Sequence, residues 1–353
     1  MQIQPFDPRH ATDREIAALN TFRNVMRLER SPDDPPMPLE EETQRIRNSP
    51  TFVVLHAWGV WNVEGSQLIA YANIHFEQAD HNRHAIEFEI EVLPEYRRRG
   101  IARMLLRNLV DATVREGRRL MIGLTVSSAP AGEAFMRRIG ATMGLPMRIS
   151  QLDLRDLNRD LIPLWQERAR ERATGYEILL WTGRTPAEYI DEYLKVVEAM
   201  NRAPLGVLQL EDQHWTPEQL RQWEDAERAR GSERWTMVAR EKATGAFAGF
   251  TEVSWHPNRT ELLRQAGTGV LEPYQNLGLG RWLKAAMLEK VLRERPQVKR
   301  IRTGNATVNE PMLKINIELG FKPYQSEYFW QIEAPKVRAY LEGSETPAAA
   351  PAN

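Results

Sequence analysis

The sequence predicts an α/β protein (α+β by some conventions) built from two similar domains in tandem. Two observations predict this class. A short apolar strand, a glycine-containing loop and an amphipathic helix follow one another twice, around residues 92–115 and 270–295. The same order of helices and strands also surrounds both segments. Because each amphipathic helix and half-buried strand must cover its apolar face, a mixed sheet with helices packed on it is the expected arrangement.

The composition narrows the classes of function. The chain has 353 residues, of which 42% are hydrophobic, and this is enough for two domain cores. A formal net charge of −1 gives no broad electrostatic footprint for nucleic acid, and no apolar run reaches the roughly 20 residues that span a bilayer. The absence of Cys excludes disulfides and thiolate zinc sites, and the seven scattered His predict no metal site. Because the start of the sequence lacks a signal-peptide pattern, we expect a cytoplasmic protein.

The second glycine-containing loop has the features of an anion-binding site. Gly278 and Gly280 allow backbone N–H groups to approach a ligand closely, because neither carries a Cβ. The loop opens a helix, so several N–H groups there lack an internal partner and carry partial positive charge. A phosphate or pyrophosphate is the expected ligand. For one loop alone, a glycine turn without a ligand is the simpler interpretation.

A second copy of the loop favours the ligand. The segment from Val92 to Arg103 has the same layout of strand end, proline, tight turn and helix start. Three residues of this copy, at a constant separation of about 178 residues, align with three of the later one: Arg97, Gly100 and Ala102 with Gln275, Gly278 and Gly280. A repeat of this length indicates a duplicated domain rather than a solenoid.

Both loops resemble the acetyl-CoA-binding signature of the GNAT N-acetyltransferase superfamily, Gln/Arg-x-x-Gly-x-Gly/Ala after a strand. The resemblance implies two tandem GNAT domains, each a mixed, mostly antiparallel sheet flanked by helices, with acetyl-CoA as co-substrate and no metal. The domain plan is similar to that of mycothiol synthase, a tandem GNAT whose N-terminal half is catalytically degenerate. The cofactor-binding residues implied in the two loops are Val92, Arg97, Arg98, Arg99, Gly100, Ile101, Ala102 and Arg103, and Val270, Gln275, Asn276, Leu277, Gly278, Leu279, Gly280 and Arg281.

The first half is predicted to contain a short strand, two helices, three strands, the loop with its helix, a strand, a helix and a closing strand. Thr12 and Glu15 form a capping-box pattern at the first helix. Apolar residues alternate with glutamates over 85–92, which predicts a half-buried strand before the loop. Gly140 is placed to cap the helix before the closing strand. The predicted bounds are 3–6, 12–29, 39–47, 52–60, 67–76, 85–92, 101–115, 120–126, 131–139 and 147–154.

The second half repeats this order after a charged connecting segment, 156–173, with helical spacing. Its first helix has Thr185 as the predicted cap and Pro186 in the first turn. The predicted bounds are 176–181, 186–200, 216–230, 235–240, 246–254, 265–271, 280–295, 298–303, 309–319 and 326–332. The predicted domain boundaries are 1–154 for the N-terminal GNAT domain, 155–175 for the connecting helix, 176–342 for the C-terminal GNAT domain and 343–353 for a disordered tail.

Three asparagines after the second loop resemble the segment that closes many GNAT sites. In that pattern an Asn begins a helix and contacts the pantetheine arm, and a residue seven positions later is often a Tyr that protonates the departing thiolate. Asn309 matches the first position, and Asn305 precedes it as a further implied cofactor contact. Asn316 takes the place of the Tyr, where an amide can hydrogen-bond the thioester sulfur or the CoA arm but cannot act as an acid. Helix capping is the alternative role for Asn309.

The first half has apolar residues at the corresponding positions, Ala129 and Met136, so we predict catalysis in the C-terminal domain. Glu252 is the candidate base there, and Glu87 or Glu89 is the candidate in the first half. Each of these carboxylates can instead be a solvated side chain on the face of a strand. Secondary candidates for the base are His214 and His256. The aromatic residues that could line an acceptor pocket, or could simply pack in the core, are Trp61, Trp215, Trp255 and Tyr274.

These features predict an N-acetyltransferase that moves an acetyl group from acetyl-CoA to a primary amine of a small molecule by direct attack. A non-catalytic acyl-CoA sensor, and an enzyme that acts on a peptide or protein amine, are the alternatives. A dinucleotide-binding oxidoreductase is disfavoured, because Gly-x-Gly-x-x-Gly opening a parallel unit is absent. We expect a monomer or homodimer that binds neither nucleic acid nor membrane.

Overall fold

The structure, a computed structural model, describes residues 3–343 and divides into two compact units. The N-terminal unit comprises the chain up to Pro146, the segment Leu205–Glu211, and the chain from Ser326 onward. The C-terminal unit comprises Met147–Pro204 and Asp212–Gln325. The compact units are therefore not contiguous in sequence and do not coincide with the ranges 1–154 and 176–342.

Helices and strands are mixed along the whole described chain, which confirms the predicted α/β class. The strands are β1 Ile3–Pro5, β2 Val53–Trp61, β3 Leu68–Glu77, β4 Ala85–Val92, β5 Leu120–Val126, β6 Thr142–Asp153, β7 Tyr176–Thr182, β8 Glu233–Glu241, β9 Phe247–Trp255, β10 Leu262–Val270, β11 Arg300–Ala306 and β12 Lys322–Glu333. The helices are α1 Asp13–Arg30, α2 Leu39–Arg47, α3 Ile101–Arg115, α4 Pro130–Arg138, α5 Leu161–Arg172, α6 Ile190–Val197, α7 Pro217–Ala229, α8 Leu279–Glu294, α9 Glu310–Leu319 and α10 Ala334–Glu342.

The N-terminal sheet has the strand order β1-β2-β3-β4-β5-β12. Neighbours are antiparallel except β4 and β5, which are parallel. That parallel pairing covers only Ala85–Phe88 of β4, opposite Leu120–Gly123. The last part of β4 is paired with β3 alone, so the sheet opens on its other side, directly before the first glycine loop.

The C-terminal sheet has the same plan, in the order β6-β11-β10-β9-β8-β7. Its one parallel pair, β10 with β11, covers only Leu262–Arg264 opposite Arg300–Arg302. The register of β10 against β9 shifts between Gln265 and Thr268, which marks a bulge just before the second glycine loop. Both units therefore open at the end of the strand that leads into the loop.

Each unit is completed by a strand from the other half of the sequence. In the N-terminal unit, Glu327–Glu333 of β12 pair with Leu120–Val126 of β5. Trp330 of β12 is almost fully buried, and its Nε1 donates to Thr125 Oγ1 at 2.8 Å. In the C-terminal unit, Met147–Asp153 of β6 pair with Arg300–Ala306 of β11. The alternating pattern of both strands is present in the sequence, but their partners are not, because a strand pattern fixes a face and not a neighbour.

Local signals in the sequence agree with the structure in most places and differ in two. The Thr12–Glu15 capping box is present. The helix expected from Pro186 to Met200 is divided into 3₁₀ turns on either side of α6. Thr185 does not cap it, since its buried Oγ1 has no hydrogen-bond partner within residues 3–343, while its backbone N–H donates to Glu224 Oε1 at 2.8 Å. The sequence reasoning also missed α10, which ends at Glu342 and is capped by Gly343. The remainder of the predicted tail, 344–353, lies outside the described residues.

Candidate functional site

The first glycine loop places a row of backbone N–H groups at the start of α3. A 3₁₀ turn, Pro94–Tyr96, is followed by Arg98 with φ 62° and Gly100 with φ 81°. Alternating left-handed residues turn successive N–H groups toward the same side, which forms a concave anion site. Within residues 3–343, none of the N–H groups from Arg98 to Arg103 donates to a carbonyl. Gly100 is exposed, so these amides can reach a ligand.

The second loop has the same backbone. A 3₁₀ turn, Glu272–Tyr274, is followed by Asn276 with φ 65° and Gly278 with φ 83°, and then α8 begins. In the described part of the chain, the N–H groups from Asn276 to Arg281 likewise have no carbonyl partner. Two segments about 178 residues apart therefore adopt one conformation, and it is the conformation that binds a phosphate at a helix N-terminus.

The glycines of the two loops are required for different reasons. An added Cβ at Gly100 or Gly278 would meet nothing within 4 Å, so positive φ, rather than space, explains these two glycines. Gly280 has no positive φ, and its Cβ would lie 3.7 Å from Val270 Cγ2, an ordinary contact. Ala102 is therefore tolerated at the corresponding place in the first loop.

The first residue of each signature holds the end of the preceding strand. Arg97 Nε donates to Val92 O at 3.0 Å, and Gln275 Nε2 contacts Val270 O at 3.5 Å. Arg97 also forms an ion pair with Glu29 at 2.5 Å, so its guanidinium is already engaged. These side chains fix the loops instead of pointing into them, which explains why Arg and Gln alternate there.

The other predicted loop residues have divided roles. Ile101 and Leu279 are buried and anchor the two helices, whereas Arg98 and Asn276 are exposed and Leu277 is half-buried. The remaining arginines bond within their own unit: Arg99 Nη2 to Glu95 O at 2.8 Å, Arg103 Nη2 to Leu341 O at 2.7 Å, and Arg281 Nη2 to Glu318 Oε1 at 3.1 Å.

The structure brings two of the three predicted asparagines together. Asn316 is 1% exposed, and its Nδ2 donates to Asn305 Oδ1 at 2.8 Å. Its own Oδ1 is buried and has no hydrogen-bond partner within residues 3–343, which is costly unless a ligand or water satisfies it. Asn309 caps α9 by accepting the N–H of Met312 at 3.4 Å. In the N-terminal unit, the buried Met136 fills the corresponding place, and Ala129 offers no cap.

Glu252 lies in a buried polar network rather than on a solvated strand face. Its Oε1 accepts from Tyr193 Oη at 2.7 Å, from Thr236 Oγ1 at 2.7 Å and from Arg234 Nη1 at 3.0 Å. Arg234 also pairs with the buried Glu224 at 2.8 Å. Burial, followed by the charge of Glu252, raises the pKa of Tyr193, so that hydroxyl stays protonated. Because three donors already engage Oε1, Oε2 is the oxygen of Glu252 left to accept a further hydrogen bond.

The sequence reasoning missed Glu91, the most perturbed carboxyl group of the N-terminal unit. Glu91 is 6% exposed, and burial, followed by the charge of Glu89, raises its pKa to about 7. Arg30 Nη2 lies 2.9 Å from Glu91 Oε1, but not in a hydrogen-bonding direction. Glu89, a predicted candidate, accepts from Asn73 Nδ2 at 3.1 Å. The alternating pattern identified the strand but gave no sign that α1 covers its polar face.

Most of the secondary candidates have structural roles. His256 is buried, with Nε2 2.7 Å from Arg230 O and Nδ1 accepting the N–H of Asn258. His214 is exposed and pairs with Glu198 at 2.9 Å. Glu87 pairs with His75 at 3.4 Å. The four aromatic candidates are in contact with other aromatic rings or with a hydrophobic core: Trp61, Trp215, Trp255 and Tyr274.

Two general properties of the described residues bear on the site. No group of three or more His, Cys, Asp or Glu side chains in residues 3–343 is arranged to hold a metal ion. Among the helices that the structure describes, none is long and apolar enough to cross a bilayer.

Comparison with known families gives one match. Residues 19–141, which span the first loop, match the sequence model of the acetyltransferase (GNAT) family. No curated protein matches the sequence significantly.

Solved structures resemble the chain over nearly its whole length. A tandem GNAT protein from the clavulanic acid biosynthesis pathway, solved without AcCoA, matches with a TM-score of 0.74 at 23% identity, over 94% of this chain and 98% of that one. A GCN5-related N-acetyltransferase from Sphaerobacter thermophilus matches with a TM-score of 0.62 at 12% identity, over 94% and 96% of the two chains. At these identities the likeness establishes a shared fold.

Proposed function

This chain is a tandem GNAT-fold protein, and from that premise we propose that it is an N-acetyltransferase with acetyl-CoA as co-substrate. The acceptor is a primary amine of a small molecule, which attacks the thioester directly. The observation that carries the proposal is the pair of loops with matching backbone and unused N–H groups. A tight site for a diphosphate is the first requirement of an enzyme that binds CoA.

The second requirement is a path for the pantetheine arm of CoA, and the opening of each sheet supplies it. The pantetheine arm would enter where β4 and β5, or β10 and β11, part. A backbone N–H at Val92 or Val270 would then polarise the acetyl carbonyl. The amine nitrogen forms a bond to the carbonyl carbon, the bond from carbon to sulfur breaks, and CoA leaves as the thiolate. The ammonium proton passes to a base, directly or through water.

We propose that the C-terminal unit catalyses the transfer, because Asn316 places a buried amide there at the position where the N-terminal unit has the apolar Met136. Asn316 would donate Nδ2–H to the CoA arm or sulfur and exchange its bond to Asn305 for one to the ligand. Asn309 and Asn305 would contact the arm. Glu252 would accept the proton through Oε2. Orientation of the two reactants can lower the barrier by about 7–11 kcal/mol, which reduces the contribution required from acid–base groups.

A second candidate function is that of an acyl-CoA sensor. The observation that favours it is Met136, which is 3% exposed and apolar at the position where the C-terminal unit has Asn316. A unit that binds CoA without polar groups beside the thioester would hold the ligand without reacting. We propose this role for the N-terminal unit if the C-terminal unit is the enzyme.

Calorimetry and thiol release test the two candidates together. Titration of the full chain with acetyl-CoA is expected to show two sites. CoA thiol release is then measured across a library of small primary amines, with a short lysine-containing peptide as a further acceptor. Release with a small amine supports the enzyme, two-site binding without any release supports the sensor, and the absence of acetyl-CoA binding would sink both.

A further inference from the structure

We infer that β3 and β4 of the N-terminal unit bind an alkyl diamine or polyamine along one polar face. The inference goes beyond the proposed acetyl transfer, which is assigned to the C-terminal unit, because this amine is a ligand of the N-terminal unit and not the acceptor of that transfer. The inference concerns binding and can be tested without turnover.

The face consists of three cross-strand pairs. In the antiparallel register of β3 and β4, Tyr71 lies opposite Glu91, Asn73 opposite Glu89, and His75 opposite Glu87. Directly opposite residues have Cβ atoms about 5 Å apart, and successive pairs on one face are about 6.8 Å apart along the strand. The three carboxylates therefore form a regular row, which we call the acidic row: Glu87, Glu89 and Glu91.

The side-chain exposure of the acidic row decreases from Glu87 to Glu91. The side chain of Glu87 is 64% exposed, that of Glu89 is 39% exposed, and that of Glu91 is 6% exposed. A long flexible cation could therefore enter at Glu87 and reach Glu91. A ligand with a single ammonium group, or a rigid ligand, would contact only the exposed end of the acidic row at Glu87.

A buried hydroxyl without a partner is the independent sign of a ligand. Tyr71 is 0% exposed, and its hydroxyl has no hydrogen-bond partner within the described residues. Burial raises the pKa of Tyr71, the nearby charge of Arg23 lowers it, and the charges of Glu89, Glu91 and Glu42 raise it, so charged groups of both signs lie near its hydroxyl. The hydroxyl and Glu91 Oε1 are both buried and accept or donate no hydrogen bond within residues 3–343, so they are not bonded to each other, and Glu91 Oε1 has only the ionic contact with Arg30. An ammonium group between them would donate to both oxygens.

A cation of the protein itself already occupies the mouth of this site. Arg30 at the end of α1 lies 3.4 Å from Glu89 Oε1 and 2.9 Å from Glu91 Oε1. Its side chain is 37% exposed, and its contact with Glu91 is not a hydrogen bond, so a better donor can displace it. The deeper Arg23 is held by Glu42 and lies over the Tyr71 ring at 5.1 Å, so it stays in place.

The C-terminal unit lacks the acidic row, which gives an internal comparison. The corresponding strand, β10, has the sequence Leu-Leu-Arg-Gln-Ala-Gly-Thr-Gly-Val without a carboxylate. A Cβ at Gly269 would lie 2.9 Å from Ala199 Cβ, so the 3₁₀ turn Glu198–Arg202 packs directly against β10 and leaves no room for a ligand at that position. A cationic ligand is therefore expected in one unit only.

Calorimetry of the full chain with putrescine and spermidine tests the inference. One site is expected, with spermidine tighter than putrescine and both at least tenfold tighter than n-butylamine, because one ammonium engages only part of the row. The affinity is expected to fall with added salt. Equal affinity for butylamine and putrescine, or no binding of any amine, would overturn the inference.

Three variants locate the site. Glu89→Gln is expected to weaken putrescine binding about tenfold, and Tyr71→Phe, which removes only the hydroxyl, about threefold. Arg30→Ala is expected to strengthen binding several-fold, because it removes the resident cation. The matched control Glu64→Gln changes the same charge at an exposed turn and is expected to have no effect. Unchanged affinity in both Glu89→Gln and Tyr71→Phe, with thermal unfolding as in the parent protein, would contradict the site.

Different experimental outcomes would refute the amine-binding inference and the proposed acetyl transfer. Diamine binding without thiol release by any amine of the library would leave the acidic row in place and refute the transferase. Thiol release with other amines, but no binding of diamines, would support the transferase and refute the acidic row.

Discussion

The two units share the loop that would hold a diphosphate and differ in everything beside it. Both loops combine a 3₁₀ turn, a left-handed residue and a left-handed glycine at the start of a helix. Beside the loop, the C-terminal unit has the amide pair Asn305–Asn316, and the N-terminal unit has Met136. The loop depends on backbone conformation, which few residues can reproduce, whereas the pocket depends on side chains that can change one at a time.

The carboxylates differ in the same way. In the C-terminal unit, Glu252 is fixed by three donors on one oxygen. Judged by the pairing of Val92 with Ala70 and of Val270 with Gly249, the N-terminal unit has Asn73 at that position and carries its carboxylates on the next strand. A shared fold therefore permits a buried amide pair in one unit and a row of carboxylates in the other.

The largest effect is expected from a substitution that disables one glycine loop and leaves the other unchanged. Gly278→Glu forces a side chain into a left-handed conformation and places a negative charge beside the expected diphosphate. We expect calorimetry to show the loss of one acetyl-CoA site, with affinity at least a hundredfold weaker, about 2.7 kcal/mol. Gly100→Glu is expected to remove the other site.

Gly280→Ala is the matched control for this change, since Ala102 already occupies the corresponding position and the new Cβ would meet only Val270 Cγ2 at 3.7 Å. Full two-site binding by Gly278→Glu would show that the loop does not hold the diphosphate.

The next effect concerns the stability of the N-terminal unit. The pKa of Glu91 is raised from 4.5 to about 7, so the folded state binds more protons than the unfolded state between these values. The free energy of unfolding therefore falls as pH rises through this window, by about 3 kcal/mol in full. Glu91→Gln mimics the protonated group, so its stability relative to the parent protein is expected to rise by that amount from pH 4 to pH 8.

Urea unfolding at the two pH values measures this difference, with Glu64→Gln as the control of equal charge change. If the free energy of unfolding of Glu91→Gln, relative to the parent protein, is the same at pH 8 as at pH 4, then Glu91 is solvated or ion-paired in solution.

A smaller effect tests the amide pair. Asn316→Leu keeps the branched shape of the buried side chain, with larger terminal groups, and removes its hydrogen bond to Asn305. We expect kcat for the acetylated amine to fall about tenfold, about 1.4 kcal/mol, with a modest change in acetyl-CoA affinity. Steady-state kinetics with the natural acceptor, or the best amine of the library, measures both quantities. The mirror change Met136→Leu is expected to leave kcat unchanged, and an equal loss in both variants would mean that packing, not the amide, matters.

The smallest effect is expected from exchanging the first residue of the loop signature, which is Arg97 in one unit and Gln275 in the other. Both contact the carbonyl that ends the preceding strand, at 3.0 Å and 3.5 Å, but only Arg97 also pairs with Glu29. Gln275→Arg is therefore expected to change acetyl-CoA affinity less than threefold by calorimetry. A larger loss would indicate that the side chain itself contacts the ligand.

Much of this protein was predictable, and the exceptions have physical causes. The loops were predictable because glycine at a positive φ and an open helix N-terminus are properties of a few adjacent residues. The role of Asn309 as a cap was predictable for the same reason. Glu91 was missed because its burial depends on α1, more than sixty residues earlier in the chain. Glu252 was predicted as a candidate, but its three donors come from β8 and α6.

The sequence by itself determined the duplication, the two loops and the order of helices and strands, because each depends on short-range periodicity and backbone conformation. Only the tertiary structure decided that β6 and β12 complete each other's units, since an alternating strand carries no label for its partner. It also decided which carboxylates are buried and which buried polar atoms remain unpaired. Those properties depend on distant elements packing over a side chain, and packing of that kind is not written in any local pattern.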